Sequence, residues 1–513
     1  MGASPPARAV GNHRAAPRSR CRPRRRRNRP GHPGGPAGGR GMSKAFTLPR
    51  SGKALSVSPL KLSAPLGAAL ALMGIDRCLP CLHGTQGCTA FALVMLVRHF
   101  REAIPLQTTA MSEISTILGG RDNIEQALLN IQKRAKPRLI PILTTALTET
   151  RGEDMTGDLA AIRTQRRELD DTEVVLVHTP DFSGSLELGW SRAVTALIDA
   201  LVPEDVPESD PGHINVLAGA HLGPGDVEEL KSLIEAFGLT VTMLPDLSVS
   251  LDGHVPDAWS LTTLGGTTVE EIKVLGRASA TLVIGEHMRT AGDLLEARTG
   301  VPSLLFESLT GLAPTDRLMS TLAELSGRPV PAALRRQRSR LVDALMDAHF
   351  SFGGTRVALA GEPDFVMSLG PLLTGLGARL QCVVVPVDAP HLAGLEAHSL
   401  LVGDLEDLGQ GAVGCDLMIA STNGQLPARR AQVPLFRAGF PVIDRLGVPQ
   451  RLSIGYRGTR DMVYALGNAL IDAAEAHHAA HDAAQPDLFS PLSPTTESPV
   501  HERPADRPQA ALG

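Results

Sequence analysis

Aromatic residues make up only 3% of the 513-residue chain, so any core must be built from Leu, Val, Ile and Ala. No apolar run reaches the roughly 18 residues that a membrane-spanning helix needs. The longest, residues 64–75, is interrupted by Gly67 and Gly74. A phosphate-binding Walker loop is missing, and no Gly-x-Gly-x-x-Gly directly follows a strand-like run, which leaves a nucleotide site with little support. No Ser–His–Asp set emerges either, and the acids of residues 403–408 have no general base or nucleophile opposite them. Six cysteines, at positions 21, 78, 81, 88, 382 and 415, are too scattered for a disulfide framework and fit a reducing cytoplasm. Cys78 and Cys81 have CxxC spacing, but no second pair follows at zinc-finger spacing.

Residues 1–41 lack any acid or Lys and hold eleven Arg. With that +11 set aside, the formal −4 of the whole chain becomes −15 for the rest, which argues against general nucleic-acid binding. The Arg, Pro, Gly and Ala of 1–41 offer nothing to bury, so the segment is expected to be disordered. It reads as a nucleic-acid tail, a transit peptide or a start-site artefact. The abrupt change at Met42 favours the artefact.

From Met42 onward the composition is globular, 43% hydrophobic and 20% charged over the whole chain. Residues 54–77 read as an approach segment and a helix, with Pro65, Leu66, Ala69, Leu70 and Met73 as its apolar face. Strand-like runs at 139–145 and 173–178 and a helix at 193–201 complete a first round. After the acidic, Pro-rich 202–212, the rhythm restarts with strands at 214–217, 240–244 and 280–284. A third round carries strands at 356–360, 380–385, 417–420 and 434–436, and a last helix at 461–475. Alternation of this kind predicts an α/β fold of three doubly wound, parallel-sheet, Rossmann-like domains. Their expected bounds are 42–205, 206–350 and 351–480, with a disordered tail at 481–513.

One stretch carries distinctive chemistry: His83-Gly84-Thr85-Gln86-Gly87-Cys88. Gly84 and Gly87 permit tight or positive-φ backbone. Ala90, Phe91, Leu93, Val94, Leu96, Val97 and Phe100 follow at helical spacing, which sets Cys88 at a helix N-terminus, where a thiolate is favoured. Thiolate binds iron, and N–H groups around a small cavity suit an anionic iron–sulfur cluster. A buried, inert cysteine in a Gly-rich turn satisfies the same residues. Arg98, His99 and Arg101 read as a positive helix end. Residues 360–363 read as a βα turn or an anion contact. His477, His478 and His481 read as a solvated helix end or an adventitious metal cluster.

Residues 54–61, 83–91, 98–102, 105–111, 178–184 (His-Thr-Pro-Asp-Phe-Ser-Gly), 245–248, 250–254, 403–408 and 437–441 together resemble the nitrogenase molybdenum–iron protein family. The likeness is strongest to its scaffold branch, on which the iron–molybdenum cofactor is matured from an iron–sulfur precursor. The resemblance implies a non-catalytic subunit of an α2β2 heterotetramer with an E subunit. It also implies docking of the nitrogenase iron protein and supply of precursor by a radical-SAM protein. Of the three cysteines that the nitrogenase β subunit gives its interface cluster, only Cys88 has a counterpart; Leu106 and Ala146 stand at the other two positions. That departure disfavours a nitrogenase β subunit or related reductase subunit. It implies one thiolate from Cys88 to a [4Fe–4S] cluster shared with the partner, with Gly87, Cys88 and Thr89 as the binding residues and Cys88 the metal ligand. The precursor itself is implied to sit mostly on the partner, and Cys78 and Cys81 are expected to be packing residues.

Overall fold

The computed structural model describes residues 47–204 and 208–484, with side chains as far as residue 476. The expectations for residues 1–41, the tail beyond residue 484 and the side chains of His477, His478 and His481 lie outside that description; the last helix, Gly455–Ala484, takes in the first four residues of the expected tail. Three parallel sheets follow one another along the chain. The first contains β1 (Cys81–His83), β2 (Gln107–Thr108), β3 (Leu139–Thr144) and β4 (Glu173–Val177), in the order β2-β1-β3-β4. β5 (His213–Leu217), β6 (Thr240–Leu244), β7 (Thr281–Ile284) and β8 (Ser303–Phe306) form the second, ordered β6-β5-β7-β8. The third has β9 (Arg356–Ala360), β10 (Arg379–Val385), β11 (Leu400–Val402), β12 (Leu417–Ala420) and β13 (Leu435–Arg437), ordered β11-β10-β9-β12-β13. In each sheet the strand order reverses beside its first strand. Crevices at the carboxyl ends of such strands are where open α/β sheets hold ligands. Among the described residues, no helix is long and apolar enough to cross a membrane.

The first helix departs from expectation. α1 (Ala64–Leu72) has no single apolar face; all nine of its residues are buried. Ser63 caps it by accepting from Leu66 N–H. The next helices are α2 (Gln86–Phe100), α3 (Glu113–Leu118), α4 (Arg121–Ala135), α5 (Ala146–Arg151), α6 (Met155–Gln165) and α7 (Leu186–Leu201). α1 packs on α7 through two glycines. Gly67 lies against the Leu186 carbonyl and Gly189 against the Ala64 carbonyl, both too close for a Cβ. Trp190 of α7 is buried, and its Nε1–H donates to Ala218 O beyond β5 at 2.8 Å. One continuous core accordingly joins α1, α2 and α7 to Leu217, Leu244 and Val283 of the second sheet.

The segment before α1 runs along the third sheet. Arg50 bridges Val402, and Leu48 is buried in the core around β9 and β10. Asp404 caps the helix Leu405–Gly411 through Glu406 and Asp407 N–H, and it also binds Lys53 Nζ (2.5 Å) and Val57 N–H (2.8 Å). The acids of residues 403–408 are therefore an anchor for this segment.

Candidate functional site

The Cys88 loop leaves the carboxyl end of β1, beside the strand-order reversal between β1 and β3. Its near side is fixed by hydrogen bonds. Thr145 Oγ1 donates to His83 O (2.9 Å), Met111 N–H to Gly84 O (2.9 Å), and the fully buried His83 ring pairs with Thr109 Oγ1 (2.9 Å). Burial holds the His83 pKa below its ordinary value against the opposing pull of Glu153. Gly84 and Gly87 do not have positive φ. Gly84 is required for room instead, because a Cβ there would come within 2.9 Å of the Thr145 side chain. A Cβ on Gly87 would meet only Thr85 Oγ1, at 3.9 Å, so the space above it is open.

α2 begins after Thr85, and Cys88 is its third residue. Thr85 makes no side-chain cap bond and the first turn holds no acid, which leaves first-turn N–H groups to face an anion. The Cys88 side chain is exposed, with Sγ 3.7 Å from Thr85 Oγ1, so the reading of a buried, inert cysteine does not hold. Thr89, the next residue, is buried, and its Oγ1 has no hydrogen-bond partner. A cavity of about 380 Å³ opens here, lined by Gly87, Cys88, Phe91, Leu66, Leu82 and Asp181. Asp181 is a member of this site that the motif reading did not single out. Its Oδ1 is buried without a partner, and burial pushes its carboxyl pKa up, against the pull of Lys61.

The other cysteines do not join Cys88. Cys78 and Cys81 are fully buried, and burial pushes the Cys81 thiol up to about 12, far from thiolate at neutral pH. Leu106 is core and Ala146 opens α5. His99 is not a surface charge: it is buried beneath Phe440, and burial lowers its pKa to about 4. Glu362 is half-buried and accepts from Ser185 Oγ (2.5 Å), which ties residues 360–363 to the start of α7 as a βα turn rather than an anion contact.

α2 carries two apolar faces. Ala92, Leu96 and Phe100 face the core, while Phe91, Val94 and Val97 stay 56%, 49% and 40% exposed on the side of Cys88. Ile114, Ile117 and Leu118 of α3 are more exposed still. A helix apolar on both sides is one that buries both.

The nitrogenase component 1 type oxidoreductase family model matches residues 63–471. The nitrogenase iron-molybdenum cofactor biosynthesis protein NifN of Bradyrhizobium diazoefficiens is 45% identical over 466 residues, covering 90% of this chain and 98% of its own. The protein of the same name from Mesorhizobium japonicum is 49% identical over 418 residues, covering 81% and 91%. The solved structure of nitrogenase Cp1 at pH 6.5 superposes with a TM-score of 0.79 at 31% identity, covering 86% of this chain and 98% of that one. Three parallel α/β sheets, an exposed cysteine at the carboxyl end of a central strand and these likenesses converge: the chain belongs to the nitrogenase component 1 type oxidoreductase family, on its NifN branch.

Proposed function

We propose that this chain is a non-catalytic subunit of the scaffold on which the iron–molybdenum cofactor is matured before transfer to the molybdenum–iron protein. Its relatives carry that biosynthetic role in their name. The observation that carries the reading here is a single exposed thiol at the uncapped N-terminus of α2, with every other described cysteine buried. One such thiolate fits one corner of a [4Fe–4S] cluster and leaves three for a partner. The open space over Gly87, the first-turn N–H groups and the orphaned Thr89 Oγ1 suit an anionic group beside Cys88. When bound, such a cluster would serve as an electron relay.

The partner in this reading is the E subunit, in an α2β2 assembly in the cytoplasm. It covers the outer faces of α2 and α3 and supplies the remaining thiolates and most contacts to the precursor. The nitrogenase iron protein and a precursor-delivering radical-SAM protein are transient partners. A nitrogenase β subunit is the poorer reading, since Leu106 and Ala146 have no atom that ligates iron. Anaerobic co-expression with the E subunit tests the proposal. A heterotetramer with bound iron is expected, whereas a lone, well-behaved monomer at micromolar concentration contradicts it.

A further inference from the structure

A second set of chemistry-bearing side chains lies where the three sheets meet. Glu187 opens α7 after β4, His221 follows β5, His287 follows β7, and Asp364 follows β9. β5 and β7 flank the strand-order reversal of the second sheet, and β9 borders that of the third. The four residues come from the carboxyl ends where such sheets hold ligands. One ligand atom from each lies within 4.8 Å of the others.

The hydrogen bonds divide their roles. Ala220 N–H donates to His287 Nε2 (3.1 Å), so the ring proton sits on Nδ1 and is donated to Asp364 Oδ2. His287 N–H also donates to Oδ2 (3.1 Å), and Asp364 N–H donates to Glu187 Oε1 (3.0 Å). His391 Nε2 stands 3.1 Å from Asp364 Oδ1 without hydrogen-bond geometry, and that oxygen has no hydrogen-bond partner. Both nitrogens of His221 are buried and unpartnered. Among the described residues, no Lys or Arg pairs with Glu187, Glu362 or Asp364. Two buried acids, Glu187 and Asp364, with no Lys or Arg partner, and an imidazole with both nitrogens idle are costly unless protons or a cation are shared among them.

We propose that Glu187, His221 and Asp364 bind a divalent first-row transition-metal ion, with His287 as the positioning residue that orients Asp364. Mixed imidazole and carboxylate donors suit zinc or ferrous iron rather than calcium or magnesium. A carboxylate–histidine pair behind a ligand is the usual outer support of such a centre. Three protein ligands leave a position for water, and a cavity of about 130 Å³ lined by Glu187, His221 and Glu362 provides the room. These residues are distinct from Cys88, so the site stands whether or not the thiolate assignment does.

The probe is cobalt(II), added to the chelator-treated full chain in its assembled form and in a Cys88→Ala background, so that thiolate binding is removed. One equivalent should bind with visible d–d absorption and no sulfur charge-transfer band. His221→Ala and Glu187→Gln should weaken binding by more than about 100-fold, and His287→Gln by about 10- to 100-fold. Should these variants misfold, anomalous scattering at the cobalt edge from crystals of the cysteine variant keeps the question decidable. A peak between His221, Glu187 and Asp364 supports the site. No peak there, no stoichiometric binding, or binding unchanged by His221→Ala overturns it.

Discussion

His99 Nδ1 lies 3.0 Å from Val442 N–H and 3.2 Å from Val442 O, joining the end of α2 to the loop after β13, with the Phe440 ring packed edge-on over the imidazole. Burial disfavours the imidazolium, against the opposing pull of the Val442 carbonyl. The folded pKa of about 4 lies below the ordinary 6.5, so the folded state resists a proton that the unfolded chain takes up. Stability from this group is complete above pH 6.5 and is lost as pH falls toward 4, by about 3 kcal/mol in all. His99→Gln keeps an acceptor without the titration. Urea midpoints of the assembled protein between pH 7 and 5 should fall less steeply in the variant; identical slopes contradict the assignment.

Asp404 holds the 47–62 segment and a helix cap at once. Asp404→Ala should destabilise by about 2–4 kcal/mol, through the lost cap and an unpaired Lys53. Asp404→Asn keeps the cap and loses the charge pair, so it should recover about 1 kcal/mol of that. Thermal melts of the three proteins read this directly, and equal melting temperatures for Asn and Ala would show that the cap contributes nothing.

Gly67 and Gly189 should be intolerant of any side chain. Each would drive a Cβ into a carbonyl of the opposing helix, and two packed backbones have no flexible end to yield. Gly189→Ala is expected to cost at least about 3 kcal/mol, whereas Gly300→Ala, with open space but φ of +74°, should cost about 1–2. Comparable soluble yields and melts for the two variants contradict the close approach of α1 and α7.

How much of this was legible in the sequence follows from how local each signal is. The strands of five or more residues and the αβ rhythm announce themselves through apolar runs bounded by turns. β1 and β2 do not, being three and two residues long, and α1 carries no face because everything around it is protein. Cys88 at a helix start was readable from two glycines and the helical spacing that follows. His99 was not: only the loop at Phe440, more than 300 residues away, removes it from water. The Glu187–His221–His287–Asp364 cluster spans 177 residues and exists only because three sheets point their carboxyl ends together. At Gly84 the neighbouring Thr145 side chain, rather than the residue's own φ, demands glycine, a contact that no local pattern encodes.

The outer apolar face of α2 and α3 should govern solubility and assembly together. Phe91→Glu with Val94→Glu leaves the buried face intact, so the fold should persist while association with the E subunit weakens by at least about 100-fold. The same substitutions should make the isolated chain less prone to self-association. Gel filtration and pull-down decide the matter: assembly as strong as the parent's would move the interface elsewhere.

Cys88 is the most direct test of the central reading. On the proposed reading, Cys88→Ala in the anaerobically purified complex with the E subunit should change or abolish the iron–sulfur EPR signal and lower the iron content while the subunits stay associated. Cys78→Ala and Cys81→Ala, whose thiols are buried and protonated, should leave both unchanged. An unaltered signal and iron count in Cys88→Ala, or equal losses in all three variants, would contradict the account.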